Sequence, residues 1–143
     1  MLHCNINFGK PDFDHARYIR NQVFVQEQGF CQEFDDIDAI AWHAVLYDGD
    51  TPVATGRAFH KPEDPAGVYT IGRIAVLPAW RGAGCGRQIM LALEKHLRAQ
   101  KAVEVRLSAQ VQARGFYEAL GYIAYGQPYL DEHCPHLAMK KTF

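Results

Sequence analysis

Nothing in the 143-residue chain is apolar for 18 residues running, so no membrane-spanning helix is expected. Net charge is equally scarce: 15 Lys and Arg stand against 16 Asp and Glu, a formal −1. That balance gives no electrostatic footprint for a nucleic-acid backbone. Cysteine is sparse and unpatterned. Cys4, Cys31, Cys85 and Cys134 show no CxxC spacing, which reads as reduced thiols of a cytoplasmic protein, not a disulfide frame. The opening MLHCNINFGK has no charged segment leading into an apolar run, so a signal peptide is not expected. Repeats and low-complexity tracts are lacking too. The length suits one domain over residues 1–143. With 48% apolar and 22% charged residues, the composition is that of an ordinary globular core and surface.

What is present is organised around residues 69–98, YTIGRIAVLPAWRGAGCGRQIMLALEKHLR. Residues 69–77 are rich in apolar and β-branched types, with Arg73 the one charge, and predict a strand. Pro78 ends it, because proline has no N–H for the ladder. A glycine-rich turn comes next, Arg81-Gly82-Ala83-Gly84-Cys85-Gly86. From Arg87 onward Ile89, Leu93 and Leu97 recur every four residues, with Met90 on the same face. This predicts a helix with one buried stripe. Glycines allow positive φ and close approach of a ligand to the backbone. The free N–H groups of the first helical turn and the helix dipole add partial positive charge. The combination makes an anion site suited to phosphate, and Arg81 and Arg87 supply charge-assisted hydrogen bonds. The plainer alternative is a connector, which does not need three glycines and flanking arginines. Cys85 sits where a thiol pKa can fall. No His or Asp lies nearby in sequence, so it reads as a small residue fitting a crowded turn.

Two phosphate-binding loops are excluded by the residues that come after the glycines. A Walker loop requires Gly-Lys-Ser/Thr, and Arg87-Gln88 stands there; in the dinucleotide fingerprint, Arg87 takes the place of the last glycine.

The remaining chain alternates strands and helices. Strands are predicted at residues 2–8, 42–47, 51–59, 103–107, 122–125 and 136–141. Asp48-Gly49-Asp50 is a hairpin turn. A first helix, capped by Asp12 or Asp14, runs to about Gln28 and ends at Gly29. A short one covers residues 112–120, and residues 126–135 read as irregular. Glu33, Asp35, Asp36 and Asp38 form an acidic stretch. It is either a solvated loop or short helix, or a rim attracting a cationic amine. The fold class is α+β, a mixed sheet of about six to seven strands flanked by helices.

The pattern R-x-x-G-x-G, filled by Arg81, Gly84 and Gly86 directly after an apolar strand, resembles the acyl-coenzyme A loop of the GNAT N-acetyltransferase superfamily. The segments VFVQEQ, PVATGRA, IGRIAV, FYEALGY and PHLAM extend the resemblance over nearly the whole chain, to the ElaA-like branch. The resemblance implies an enzyme using acetyl-coenzyme A. The loop amides from Arg81 through Gly82, Ala83, Gly84, Cys85 and Gly86 to Arg87 would hold the pyrophosphate. Ile74, Ala75 and Val76 would offer backbone groups to the pantetheine arm, lying alongside like an added strand. That requires the strands at 69–77 and 103–108 to splay, through a bulge that Gly72 would assist. Ser108 stands where related sequences often carry Asn, leaving a hydroxyl to make that contact. The backbone N–H of Val76 would face the developing oxyanion.

From the residues alone Tyr117 reads as a core tyrosine; by the same resemblance it would instead protonate the departing thiolate. The attacking amine must be neutral, so a base is needed. Glu27 and His136 are the leading candidates, with His43 and His133 behind them. The run His133-Cys134-Pro135-His136 lacks zinc spacing, and no metal is expected. The acceptor is expected to be a small amine, with protein lysines or N-termini as the alternative and a homodimer as the assembly. The rival readings are a non-catalytic acyl-coenzyme A sensor, an acyl-homoserine lactone synthase-like enzyme and a nucleotide-binding protein.

Overall fold

Period-two alternation and β-branched runs build eight strands: β1 (Leu2–Phe8), β2 (Trp42–Asp48), β3 (Thr51–Phe59), β4 (Val68–Val76), β5 (Glu104–Gln110), β6 (Ile123–Ala124), β7 (Tyr129–Asp131) and β8 (Cys134–Thr142). Three helices accompany them: α1 (Asp14–Arg20), α2 (Cys85–Ala99) and α3 (Arg114–Ala119). The computed structural model covers residues 1–143. The strands form one mixed sheet in the order β1-β2-β3-β4-β5-β8-β6, with β7 pairing beside β8. Only β4 and β5 run parallel.

Two cores lie on opposite faces. The α2 stripe, Ile89, Met90, Leu93 and Leu97, is fully buried and joins Leu46, Ile71, Val105 and Met139 from the sheet and Tyr117 from α3. On the other face Ala16 and Ile19 of α1, followed by Val23 and Phe24, pack with Phe13, Phe30, Val45 and Ala75.

Several expectations are corrected. The strand count is eight, because the segment expected to be irregular contains β7, whose residues are all exposed and carry no burial pattern. Neither Asp12 nor Asp14 caps α1; Phe13 holds that position with no side-chain cap bond. The first helix also does not stay α-helical: residues Asn21–Glu27 widen into a π-helix, a form frequent at functional sites.

The decisive departure from a regular sheet lies in β4. It pairs with β5 only through Val68, Tyr69 and Thr70. Beyond Thr70 the two strands diverge, while β5 keeps its pairing to β8 as far as Gln110. The register between β3 and β4 slips at the same place: Thr55 faces Ala75, but Arg57 faces Gly72. The extra residue is a β-bulge. Its left-handed position is Arg73, with φ +55, and not the expected Gly72.

Candidate active site

The divergence leaves a cleft of about 280 Å³ between β4 and β5. Ile71, Gly72, Arg73 and Ile74 line one wall, and Ser108 and Gln110 the other. Tyr117 and His136 also face it.

Past the C-terminal end of β4, before α2, stands the glycine-rich turn. Gly82 and Gly84 have φ +82 and +80, which L-side chains rarely adopt. No amide from Gly82 through Arg87 has a hydrogen-bond partner within the chain; Gln88 is the first, donating to the Gly84 carbonyl at 3.0 Å. The turn therefore presents a run of free donors at the start of a 15-residue helix, where the dipole is positive. Cys85 is buried there, and burial pushes its thiol up, so it is no thiolate nucleophile.

Backbone direction connects turn and cleft. Leu77 donates to Val53 of β3 at 2.9 Å. The alternation of a strand thus turns Val76 the other way, toward the side β5 has vacated. The Val76 carbonyl accepts from Arg81 Nε at 3.0 Å. Ala75 points its side chain into the core on the α1 face.

The four base candidates separate clearly. Glu27 lies outside the cleft, and its carboxylate is clasped by Arg81 at 2.6 and 2.7 Å. That hydrogen bond holds the carboxyl below its ordinary range, which makes it a poorer base. His43 is buried beneath the acidic segment with Nε2 against the Asp38 carbonyl at 2.9 Å. His133 is exposed and tilts against Phe30. His136 is the one that faces the cleft. Its Nδ1 lies 2.9 Å from the Cys134 carbonyl, an acceptor only. The proton therefore sits on Nδ1 and the Nε2 lone pair is free to take another.

Tyr117 is 9% exposed, and its hydroxyl has no partner within the chain; burial pushes the phenol up to about 12. It stays protonated at neutral pH and has a proton to donate. The Ser108 hydroxyl is already bonded to the Tyr129 hydroxyl, a contact that no sequence pattern announced.

The acidic stretch includes a short helix, Asp36–Ile40, as one reading had it, but Glu33, Asp35 and Asp38 are bound by arginines and form neither a solvated face nor a rim. Arg20 donates to Glu33 at 2.8 Å and to Asp38 at 2.8 Å. Arg57 donates to Asp35 at 2.7 Å and Asp38 at 2.8 Å. Arg73 reaches Glu33 at 3.1 Å and Asp35 at 3.4 Å. Three arginines and three carboxylates thus form one network below the cleft. The left-handed bulge aims Arg73 into it. Arg57 and Arg73 were both missed as site residues; the one available signal was an isolated charge in an apolar strand.

The family model described as acetyltransferase (GNAT) domain matches residues 18–143. The Bacillus subtilis protein named uncharacterized N-acetyltransferase YjcF is 40% identical over 129 residues, covering 88% of this chain and 89% of its own length. The crystal structure of Escherichia coli ElaA has a TM-score of 0.88 at 26% identity, over 99% of both chains. That of an acyl-CoA N-acyltransferase from Pseudomonas aeruginosa has a TM-score of 0.84 at 27% identity, over 99% of this chain and all of the other. The split β4–β5 ladder and the run of free amides are thus found in a chain that belongs to the GNAT acetyltransferase family, the acyl-CoA-dependent N-acetyltransferases.

Proposed function

We propose that the protein transfers an acetyl group from acetyl-coenzyme A to the primary amine of a small molecule, by direct attack within a ternary complex. The observation that carries this reading is the unbroken run of unpartnered amides from Gly82 to Arg87 beside a β4 edge left open from Ile71 onward. An anion at the helix start and an extended amide-bearing arm along the open edge satisfy both at once.

The roles come from the chemistry of each group. The turn amides bind the diphosphate, and Arg87 adds charge. The backbone of Ile74 and Val76 holds the pantetheine arm, and the Val76 N–H faces the thioester oxygen as it becomes negative. His136 Nε2 takes the proton of the amine, directly or through water. Tyr117 donates to the sulfur as the carbon–sulfur bond breaks, and the thiol leaves. The Ser108 hydroxyl contacts the arm by sharing its bond to Tyr129. A cleft of about 280 Å³, shared by acyl group and acceptor, favours a short acyl chain and a small acceptor. The four free cysteines suit a reducing compartment such as the cytoplasm.

Calorimetric titration with coenzyme A and with adenine nucleotides tests the reading first. Tighter binding of coenzyme A is expected, followed by thiol release from acetyl-coenzyme A when small primary amines are added. No affinity for coenzyme A overturns it. Binding with no turnover across an amine panel makes the protein a sensor instead.

A further inference from the structure

Arg57 and Arg73 meet at the bottom of the cleft, and each has a donor that the protein leaves unused. Arg57 is 4% exposed, and Asp35 takes the end-on edge of its guanidinium through both Nη atoms. Its Nε is buried with no partner, an expensive condition for a donor on a cation. Arg73 spends Nε on Glu33 and Nη2 on Asp35, which leaves Nη1 without a bond. Arg73 is also held at φ +55, and a non-glycine residue in that region costs energy that the surrounding structure must sustain. The bulge places this side chain at the cleft, next to Ile74.

The acids around the cleft do not answer these donors. Glu33 is committed to Arg20 and Arg73. Glu132 accepts from the amides of Cys31 and Gln32 at 2.9 Å each. Asp131, the last residue of β7, lines the cleft, and its carboxylate has no hydrogen-bond partner. The cleft thus offers an unused donor on Arg73, backed by a buried unused donor on Arg57, and an unpaired carboxylate, Asp131, two positions along β7 from the residue facing His136.

We infer that the acceptor is an amino carboxylate, a compact molecule whose carboxylate is bound by Arg73 with Arg57 behind it, and whose amino group lies on the side of His136 and Asp131. The inference rests on the acetyltransferase reading and names its substrate class. Charge-assisted hydrogen bonds from a guanidinium suit a carboxylate better than a neutral amide. Asp131 draws in the ammonium form, and His136 removes a proton before attack. A simple alkylamine would leave the arginine donors unanswered, so it should be a poorer substrate.

The test uses the full chain saturated with coenzyme A. Binding of N-acetylglycine, a product-like carboxylate, is compared with its primary amide by calorimetry; turnover of glycine and alanine is compared with that of their amides and of methylamine and ethylamine. The carboxylates are expected to be favoured by about ten-fold or more, the scale of one hydrogen bond to a charged group. In Arg73→Asn, chosen because asparagine tolerates a left-handed φ, the preference should fall toward unity. Arg73→Gly, which relieves the backbone, should behave alike. Equal binding of acid and amide to the wild-type complex overturns the inference while leaving the acetyltransferase reading intact. So does a preference that survives both variants. Failure of coenzyme A to bind in the first place removes both.

Discussion

Glu27 and Arg81 form a two-pronged ion pair across the end of the π-helix and the start of the anion-binding turn, while the same guanidinium holds the Val76 carbonyl. The pair suits Glu27 to holding Arg81 in place. Both side chains are about 40% exposed, so solvent screens them and the pair is worth at most about 1 kcal/mol. Glu27→Gln should therefore leave the pH dependence of kcat in place and change the KM for acetyl-coenzyme A by only a few-fold. A steady-state pH profile checks this. A fall in kcat of about a hundred-fold or more would return Glu27 to the role of base.

Tyr117 makes a different prediction, because its hydroxyl faces the cleft unpartnered. Tyr117→Phe keeps the ring packed against Tyr122 and removes only the donor. The kcat should fall by roughly ten- to a hundred-fold with coenzyme A affinity unchanged, as single-turnover and calorimetric measurements would show. The phenol is pushed up from 10 to about 12 by burial. Below pH 10 it is protonated in both folded and unfolded chains and costs nothing. As pH rises from 10 to 12 the unfolded chain ionises first, and stability on the order of 2–3 kcal/mol is lost. Denaturant melts across that range should show a shallower alkaline decline in Tyr117→Phe. Some decline should remain, because burial pushes the Tyr122 phenol up as well.

The contrast between what could and could not be read from the sequence is a contrast between local and long-range causes. The α2 stripe and the turn glycines are short-range patterns, and Ile89, Leu93, Leu97, Gly82 and Gly84 stand as their spacing implies. The bulge is not local. Arg73 adopts a left-handed conformation although Gly72 beside it would do so more easily; the contacts of its side chain with Glu33 and Asp35, about forty positions away, accompany that choice. The acidic stretch misled for the same reason. Four carboxylates in six positions look solvated until Arg20, Arg57 and Arg73 are known to converge on three of them. β7 carries no burial pattern because all its residues are exposed, so only its pairing with β8 identifies it.

That network predicts where the fold is brittle. Arg20 is 1% exposed and holds both Glu33 and Asp38. Arg20→Ala strips a partner from two buried carboxylates and should cost about 3–5 kcal/mol, measurable by urea melts. Burial alone would push the Asp38 carboxyl up, but the hydrogen bonds and charges of Arg20 and Arg57 overcome it and hold it below 3.8. A folded pKa below the unfolded one contributes stability that is whole above 3.8 and lost as pH falls through the lower folded value. Acid unfolding through Asp38 should thus begin below about pH 4, and in Arg20→Ala it should begin at higher pH. Exposed Asp36, outside every ion pair, should tolerate Asn with a change within about 0.5 kcal/mol.

Gly56 on β3 stands opposite the bulge and Gly72 flanks it on β4, and their substitutions should diverge. A Cβ on Gly56 would stand 2.5 Å from Ile74 Cδ1 and 2.7 Å from Ile89 Cγ2. Ile89 is locked in the α2 core, so Ile74, only partly buried, must give way. Overpacking of this kind costs about 1–3 kcal/mol, and Tm should drop by about 3–9 °C for a chain of this size. Because Ile74 belongs to the open edge, the KM for acetyl-coenzyme A should rise as well. At Gly72 a Cβ meets nothing within 4 Å and the backbone is not left-handed, so Gly72→Ala should leave Tm unchanged. Equal Tm values for the two alanine variants would mean that the tight contact across β3 does not hold Ile74 in place. A loss at Gly72 alone would move the origin of the splay from Arg73 back to the glycine beside it.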